Sequence, residues 1–142
     1  MKFVLIVCLF TYSLFGAELF KESNIVYDKK NKLAWQDTKD NVTQIASQDD
    51  SIKYCEELTL DGYSNWRLPS VDEYKTIIDL TRKDELMINR TFKYTLPSDY
   101  WTKDRTWRTL WRYGYYIFFK SGSVYYENRS YKKLIRCVSD AN

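Results

Sequence analysis

Apolar and polar residues alternate in two short runs, Asn24 to Tyr27 and Lys32 to Gln36, on either side of Asp28-Lys29-Lys30-Asn31. Period-two alternation broken by turn-forming residues predicts a β-hairpin. In its second strand Leu33 and Trp35 share one inward face, which makes Trp35 a core residue. Asp37 to Asp50 is polar and without period, and predicts a loop. Ile52, Cys55 and Leu58 or Thr59 then fall on one side of a helix from about Ile52 to Leu60, capped by Asp50 or Ser51, with Cys55 facing inward.

The stretch Gly62-Tyr63-Ser64-Asn65-Trp66-Arg67-Leu68-Pro69-Ser70 predicts a corner between two helices. Gly62 suits a left-handed helix end, Pro69 keeps its neighbour out of helical geometry, and Ser70 with Glu73 forms a capping box. Trp66 is the wedge of this corner, and Arg67 a partly buried charge beside it. The second helix carries Val71, Tyr74, Ile77 and Ile78 as one apolar stripe.

Thr81 to Asp99 is irregular, with Leu86, Ile88, Phe92 and Leu96 as candidate anchors. Tyr100-Trp101-Thr102 predicts a short buried strand, and Lys103 to Arg112 a basic, tryptophan-bearing loop. Three antiparallel strands follow, Tyr115 to Phe119, Val124 to Asn128 and Lys133 to Val138, the first two joined by Ser121-Gly122. Hairpin, two helices, long irregular loop and antiparallel meander together make an α+β fold with two helices packed on antiparallel sheets.

Composition adds a compartment. Lys2 precedes a nearly unbroken apolar run from Phe3 to Phe15, closed by Gly16-Ala17. That run is shorter than the roughly 18 to 20 residues a bilayer span needs. Residues 1–17 therefore predict a signal peptide, residues 18–142 one domain, and the location is periplasmic or at the cell surface, with no stable transmembrane segment after cleavage. Export leaves Cys55 and Cys137 in an oxidising compartment, where two cysteines allow one intramolecular disulfide; two buried free thiols are the alternative.

The chain contains no histidine. That removes the usual general base near neutral pH, the His-dependent nucleophile pairs and the commonest zinc ligand, and leaves carboxylate or tyrosine acid-base chemistry or calcium held by oxygen ligands. With no recognisable catalytic set or cation motif, no catalytic residue, metal or cofactor is expected. The remaining enzymatic option is Asp99 or Asp104 working with a tyrosine. Glu18 to Tyr100 holds 12 Lys+Arg against 16 Asp+Glu, whereas Trp101 to Asn142 holds 9 against 3. The basic end is interleaved with Trp101, Trp107 and Trp111, a composition suited to an anionic polymer or a sugar ring, or to the outer faces of solvated strands. Nucleic acid is not expected, because export argues against it and no nucleic-acid motif occurs.

The residues Asp28, Leu33-Ala34-Trp35-Gln36, Tyr54-Cys55, Gly62 to Ser70 with Glu73, Tyr100-Trp101-Thr102, Gly122 and Ile135-Arg136-Cys137-Val138 resemble the domain family at the C-terminus of the bacterial collagen-like adhesin Lcl. The match runs in order through nearly all of residues 18–142, and the corner of Trp66, Arg67 and Pro69 is among its most specific parts. The corner is also similar to that of formylglycine-generating enzymes. The resemblance implies a C-type-lectin-like domain whose terminal strands pair, with Cys55 and Cys137 at the family's disulfide positions.

The calcium-binding triplets of lectins with this fold are absent: the loop offers Leu96-Pro97-Ser98-Asp99, and no Trp-Asn-Asp occurs. The adhesin resemblance implies recognition of polyanionic glycans. Arg105, Arg108 and Arg112 would pair with sulfate, phosphate or carboxylate groups, while Trp107 or Trp111 would stack on a ring. The alternative is an assembly module docking on another envelope protein through its aromatic face. A formylglycine-generating-like enzyme is the remote third option.

Overall fold

The computed structural model describes residues 18–141. The predicted signal peptide, residues 1–17, lies outside the described residues. The first hairpin forms as its pattern predicts, from Ile25–Asp28 and Leu33–Gln36, with Val26 opposite Trp35. Its turn is tied by the Asp28 carboxylate, which accepts from the Asn31 backbone N–H at 3.0 Å and its side-chain amide at 2.7 Å. A strand without an alternating apolar signal, Leu19–Glu22, lines the outer side of this hairpin. In chain order these strands are β1 (Leu19–Glu22), β2 (Ile25–Asp28) and β3 (Leu33–Gln36).

All four residues of β3 are buried, not one face alone. The sheet lies between two core clusters: Val26, Leu33 and Trp35 join Tyr74, Ile77, Phe92 and Phe119, while Ile25 and Ala34 join Cys55, Trp66, Leu68 and Trp101. Trp35 packs 5.6 Å from the Tyr74 ring and 6.3 Å from that of Phe92.

After a 3-10 turn at Lys39–Val42 come β4 (Ile45–Ala46) and α1 (Gln48–Glu57). The helix starts and ends earlier than its apolar spacing suggests. Ser47 is the cap, accepting the Asp50 N–H at 3.2 Å, and Ser51 is buried with its hydroxyl on the Ser47 carbonyl at 2.7 Å. Gly62 consequently does not end a helix. With Asp61 (φ 48°), Gly62 (φ 85°) makes a left-handed two-residue turn between Leu60 and Tyr63, which exchange N–H···O bonds of 3.0 and 2.9 Å.

The corner then follows its pattern. Trp66 is buried and donates from Nε1 to the Tyr63 carbonyl at 3.0 Å. The capping box closes, with the Glu73 N–H on Ser70 Oγ at 3.1 Å and the Ser70 N–H on Glu73 Oε1 at 3.0 Å. Helix α2 spans only Val71–Lys75, because the chain leaves it so that Ile78 can bridge to Ile88. In the long loop Ile88 and Phe92 are buried anchors and Leu86 is half-buried, but Leu96 is exposed.

The second sheet holds β5 (Asp99–Thr106), β6 (Tyr113–Phe118), β7 (Ser123–Asn128) and β8 (Lys133–Leu134) in the order β4-β8-β5-β6-β7. Trp101 is buried and donates to the Ala46 carbonyl at 3.0 Å. The expected final strand is two. Lys133–Leu134 belongs to the second sheet, where it does not continue the antiparallel meander from β7 but lies between β4 and β5 and runs parallel to β5, so that sheet is mixed. Val138–Asp140 (β9) pairs with β3, and Ile135–Cys137 crosses between the two sheets. At this crossing Cys137 is joined to Cys55, with Cα atoms 5.5 Å apart. Arg67 ties the corner to β9: its N–H and carbonyl bond to Val138 at 2.8 and 2.9 Å, and its guanidinium lies 2.5 Å from Glu73 and 3.0 Å from Asp140. Buried Pro69 accepts the Lys103 N–H at 2.8 Å.

Asn41, the first of three Asn-X-Ser/Thr triplets, is fully buried and donates to the Ile135 carbonyl at 3.0 Å, so the fold closes it to glycosylation.

Candidate functional site

The basic stretch Lys103 to Arg112 divides into strand and tip. Lys103 to Thr106 continues β5, and Trp107–Thr109 forms a 3-10 turn. Leu110 (φ 52°) and Trp111 (φ 62°) are then both left-handed, a conformation uncommon for one bulky residue and more so for two in succession. The tip is tied down at its base. Leu110 N–H donates to the Trp107 carbonyl at 3.0 Å and Arg112 N–H to that of Thr109 at 3.1 Å. Thr109 Oγ1 accepts the Tyr113 N–H at 3.2 Å, and Arg129 donates to the Trp111 and Arg112 carbonyls, each at 3.0 Å.

This geometry turns large apolar side chains outward. Trp107 is 68 %, Leu110 78 % and Trp111 56 % exposed. Arg108 and Arg112 are exposed beside them, with the Arg108 guanidinium 5.9 Å from the Trp107 ring. Among the described residues neither arginine forms an ion pair. Arg105 differs, since its guanidinium lies 2.7 Å from Asp49 on α1, which also pairs with Arg129. Of the five predicted ligand-binding residues, Trp107, Arg108, Trp111 and Arg112 therefore gather at the tip, and Arg105 belongs to its base.

Buried Gln48 supports that base. Its amide donates to the carbonyls of Thr102 at 2.8 Å and Asp104 at 2.9 Å, and its oxygen accepts from Arg129 Nε at 2.9 Å. A Cβ on Gly114 would come within 2.4 Å of the Gln48 side chain, so glycine is what lets β6 pass it.

A tyrosine surface flanks the tip. Tyr126, 59 % exposed, lies 6.0 Å from Tyr113 and 6.2 Å from Tyr115 by ring centroids; on the opposite face of the ribbon Tyr125 meets Tyr116 at 5.8 Å. Leu110, Tyr113, Tyr126 and Arg129 were not singled out from the sequence. The only local hint was Leu110, an aliphatic residue within a polar loop.

The carboxylates considered for chemistry are engaged elsewhere. Asp99 pairs with Lys133 at 3.1 Å, and Asp104 accepts the Val71 N–H at 2.8 Å at the start of α2. Asp37 is enclosed, with Lys21 Nζ at 2.5 Å, the N–H groups of Lys93 and Tyr94 at 2.8 and 2.9 Å, and Arg136 at 3.4 Å. Burial alone would push its carboxyl up, but Arg136, Lys21 and the two amides outweigh that and hold it below the usual carboxylate range. Tyr54 is pushed up to about 12 by burial and by its hydrogen bond to Asp40.

Residues 24–139, which hold the corner, the cross-linked crossing segment and both sheets apart from β1 and the last residue of β9, match the family described as the Lcl C-terminal domain. The chain belongs to that family. Comparison with curated proteins gives no match. In this Lcl C-terminal domain the corner, Cys55 and Cys137 serve the frame, and the tip at residues 107–112 projects from it. No helix among the described residues is long and apolar enough to cross a membrane.

Proposed function

We propose that this Lcl C-terminal domain is an exported, non-catalytic binding module of C-type-lectin-like fold that recognises a polyanionic glycan through its Trp107–Arg112 tip. The carrying observation is the pairing of exposed Trp107 and Trp111 with Arg108 and Arg112, two arginines that form no ion pair among the described residues. Arginine forks suit sulfate and carboxylate groups, and an indole face suits a sugar ring. The pairing of β3 with β9 and the long loop between α2 and β5 support the lectin-like arrangement. The joined cysteines and the family are consistent with export.

Absence of catalysis is part of the same reading. Cys55 and Cys137 are bound to each other and do not offer the thiols that a formylglycine-generating mechanism requires. The test is retention on immobilised heparin. Retention should fall steeply with salt, because exposed charges are screened over roughly 8 Å at physiological ionic strength. It should also fall for Arg108→Gln with Arg112→Gln; retention unchanged at 1 M salt or in that double variant overturns the reading.

A second reading, docking on another envelope protein, is favoured by β7, an outer strand carrying exposed Tyr125 and Tyr126. Capture of an envelope protein that is lost with Tyr125→Ser and Tyr126→Ser, but kept with the arginine double variant, would select it.

A further inference from the structure

Glycan recognition accounts for the arginines and the indoles but leaves Leu110 without a role. It is the most exposed large apolar residue in the described chain, at 78 %, and it sits at the apex of the tip. An aliphatic side chain has little to offer a sulfated sugar. The sequence Trp107-Arg108-Thr109-Leu110-Trp111-Arg112 contains three large apolar residues, two cations and no acid. Asp49, the acid at its base, is held by Arg105 and Arg129.

We infer that this tip also docks on an anionic phospholipid surface, with Leu110, Trp107 and Trp111 entering the interfacial layer and Arg108 and Arg112 holding lipid phosphates. Tryptophan favours the boundary between headgroups and acyl chains, where its ring is apolar and its N–H remains wet. Arginine stems lie along apolar surface while the guanidinium reaches outward to phosphate. Basic residues around an apolar wedge match the negative potential of an anionic leaflet. The hydrogen-bonded base presents the wedge already shaped, so little ordering is left to occur on contact.

The inference goes beyond the glycan reading and can fail separately from it. Residues 18–142 carry both sheets and both core clusters, and are mixed with phosphatidylglycerol–phosphatidylcholine vesicles bearing brominated acyl chains. Three of the five tryptophans, Trp35, Trp66 and Trp101, are buried, so quenching reports on Trp107 and Trp111. Anionic vesicles should sediment the protein and quench its fluorescence, whereas pure phosphatidylcholine should do neither. Leu110→Asn keeps a residue that tolerates the left-handed backbone and should lower vesicle binding on the order of tenfold, with heparin retention unchanged.

No quenching by brominated lipid, or Leu110→Asn binding vesicles as the parent does, overturns the inference. Heparin retention without vesicle binding overturns it too and leaves the glycan reading in place. Vesicle insertion without heparin retention supports it and removes the glycan reading instead.

Discussion

Arg136 Nη1 lies 3.4 Å from Asp37 Oδ1, and neither side chain has any exposure to solvent. The pair joins the end of β3 to the segment that crosses between the sheets. Arg136 also donates to the carbonyls of Gln36 and Tyr94, both at 2.5 Å, and to Thr95 Oγ1 at 2.8 Å, while its guanidinium lies 4.9 Å from the Phe92 ring. Buried ions need this degree of pairing, because removing one partner leaves the other desolvated and uncompensated.

Asp37→Ala should therefore destabilise the fold by about 3 to 5 kcal/mol, as should Arg136→Met. Replacing both together should cost less than the two single losses added, since neither charge is then stranded. Urea unfolding of the three variants measures the coupling. Strict additivity would mean that the two residues act independently.

Stability should fall at both ends of the pH scale. Asp37 has a depressed folded-state pKa, so its contribution is present above the ordinary carboxylate value near 3.9 and is lost as pH falls through the folded one. Tyr54 is the opposite case. An unfolded tyrosine ionises near 10, whereas Tyr54 resists until about 12, so stability drains away as pH rises between those values. Denaturation midpoints across pH should show both limbs, with Asp37→Asn shrinking the acid one and Tyr54→Phe removing only part of the alkaline one, because burial raises Tyr74 and Tyr100 as well.

The disulfide spans 82 residues of sequence. In the chain-entropy model a closure of that length stabilises the fold by about 4 to 5 kcal/mol. Reduction, or Cys55→Ser with Cys137→Ser, should lower the unfolding free energy by a comparable amount. An unchanged unfolding curve under reductant would show that the hydrogen-bonded crossing segment suffices by itself.

Local signals were legible in the sequence because they are local physics. The Asp28 to Asn31 turn, the capping box of Ser70 and Glu73, and the Gly122 turn (φ 71°) each depend on neighbours a few residues away. The α1 start was blurred because Ser47, Asp50 and Ser51 are all competent caps, and burial of Ser51 decided among them. Strand β1 was hidden because an edge strand with Lys21 and Glu22 needs only a partner's backbone. The tip was legible in composition but not in geometry. Nothing near Arg105 announces Asp49, which is 56 residues away, and nothing near Asp37 announces Arg136.

The left-handed pair at the tip gives the last prediction. Leu110 and Trp111 occupy a region of backbone space that costs an L-residue roughly 1 kcal/mol or more, and their exposed side chains recover little of it through packing. Glycine adopts the same φ without that penalty, though it gives back part of the gain through a more mobile unfolded chain. Leu110→Gly and Trp111→Gly should thus each leave thermal stability unchanged or raised by up to about 1 kcal/mol, while Leu110→Gly weakens vesicle binding alone and Trp111→Gly weakens both vesicle binding and heparin retention. A stability gain paired with a binding loss is what a strained functional loop produces. Destabilisation of both variants by more than about 1 kcal/mol would instead assign the two side chains to the fold's own packing.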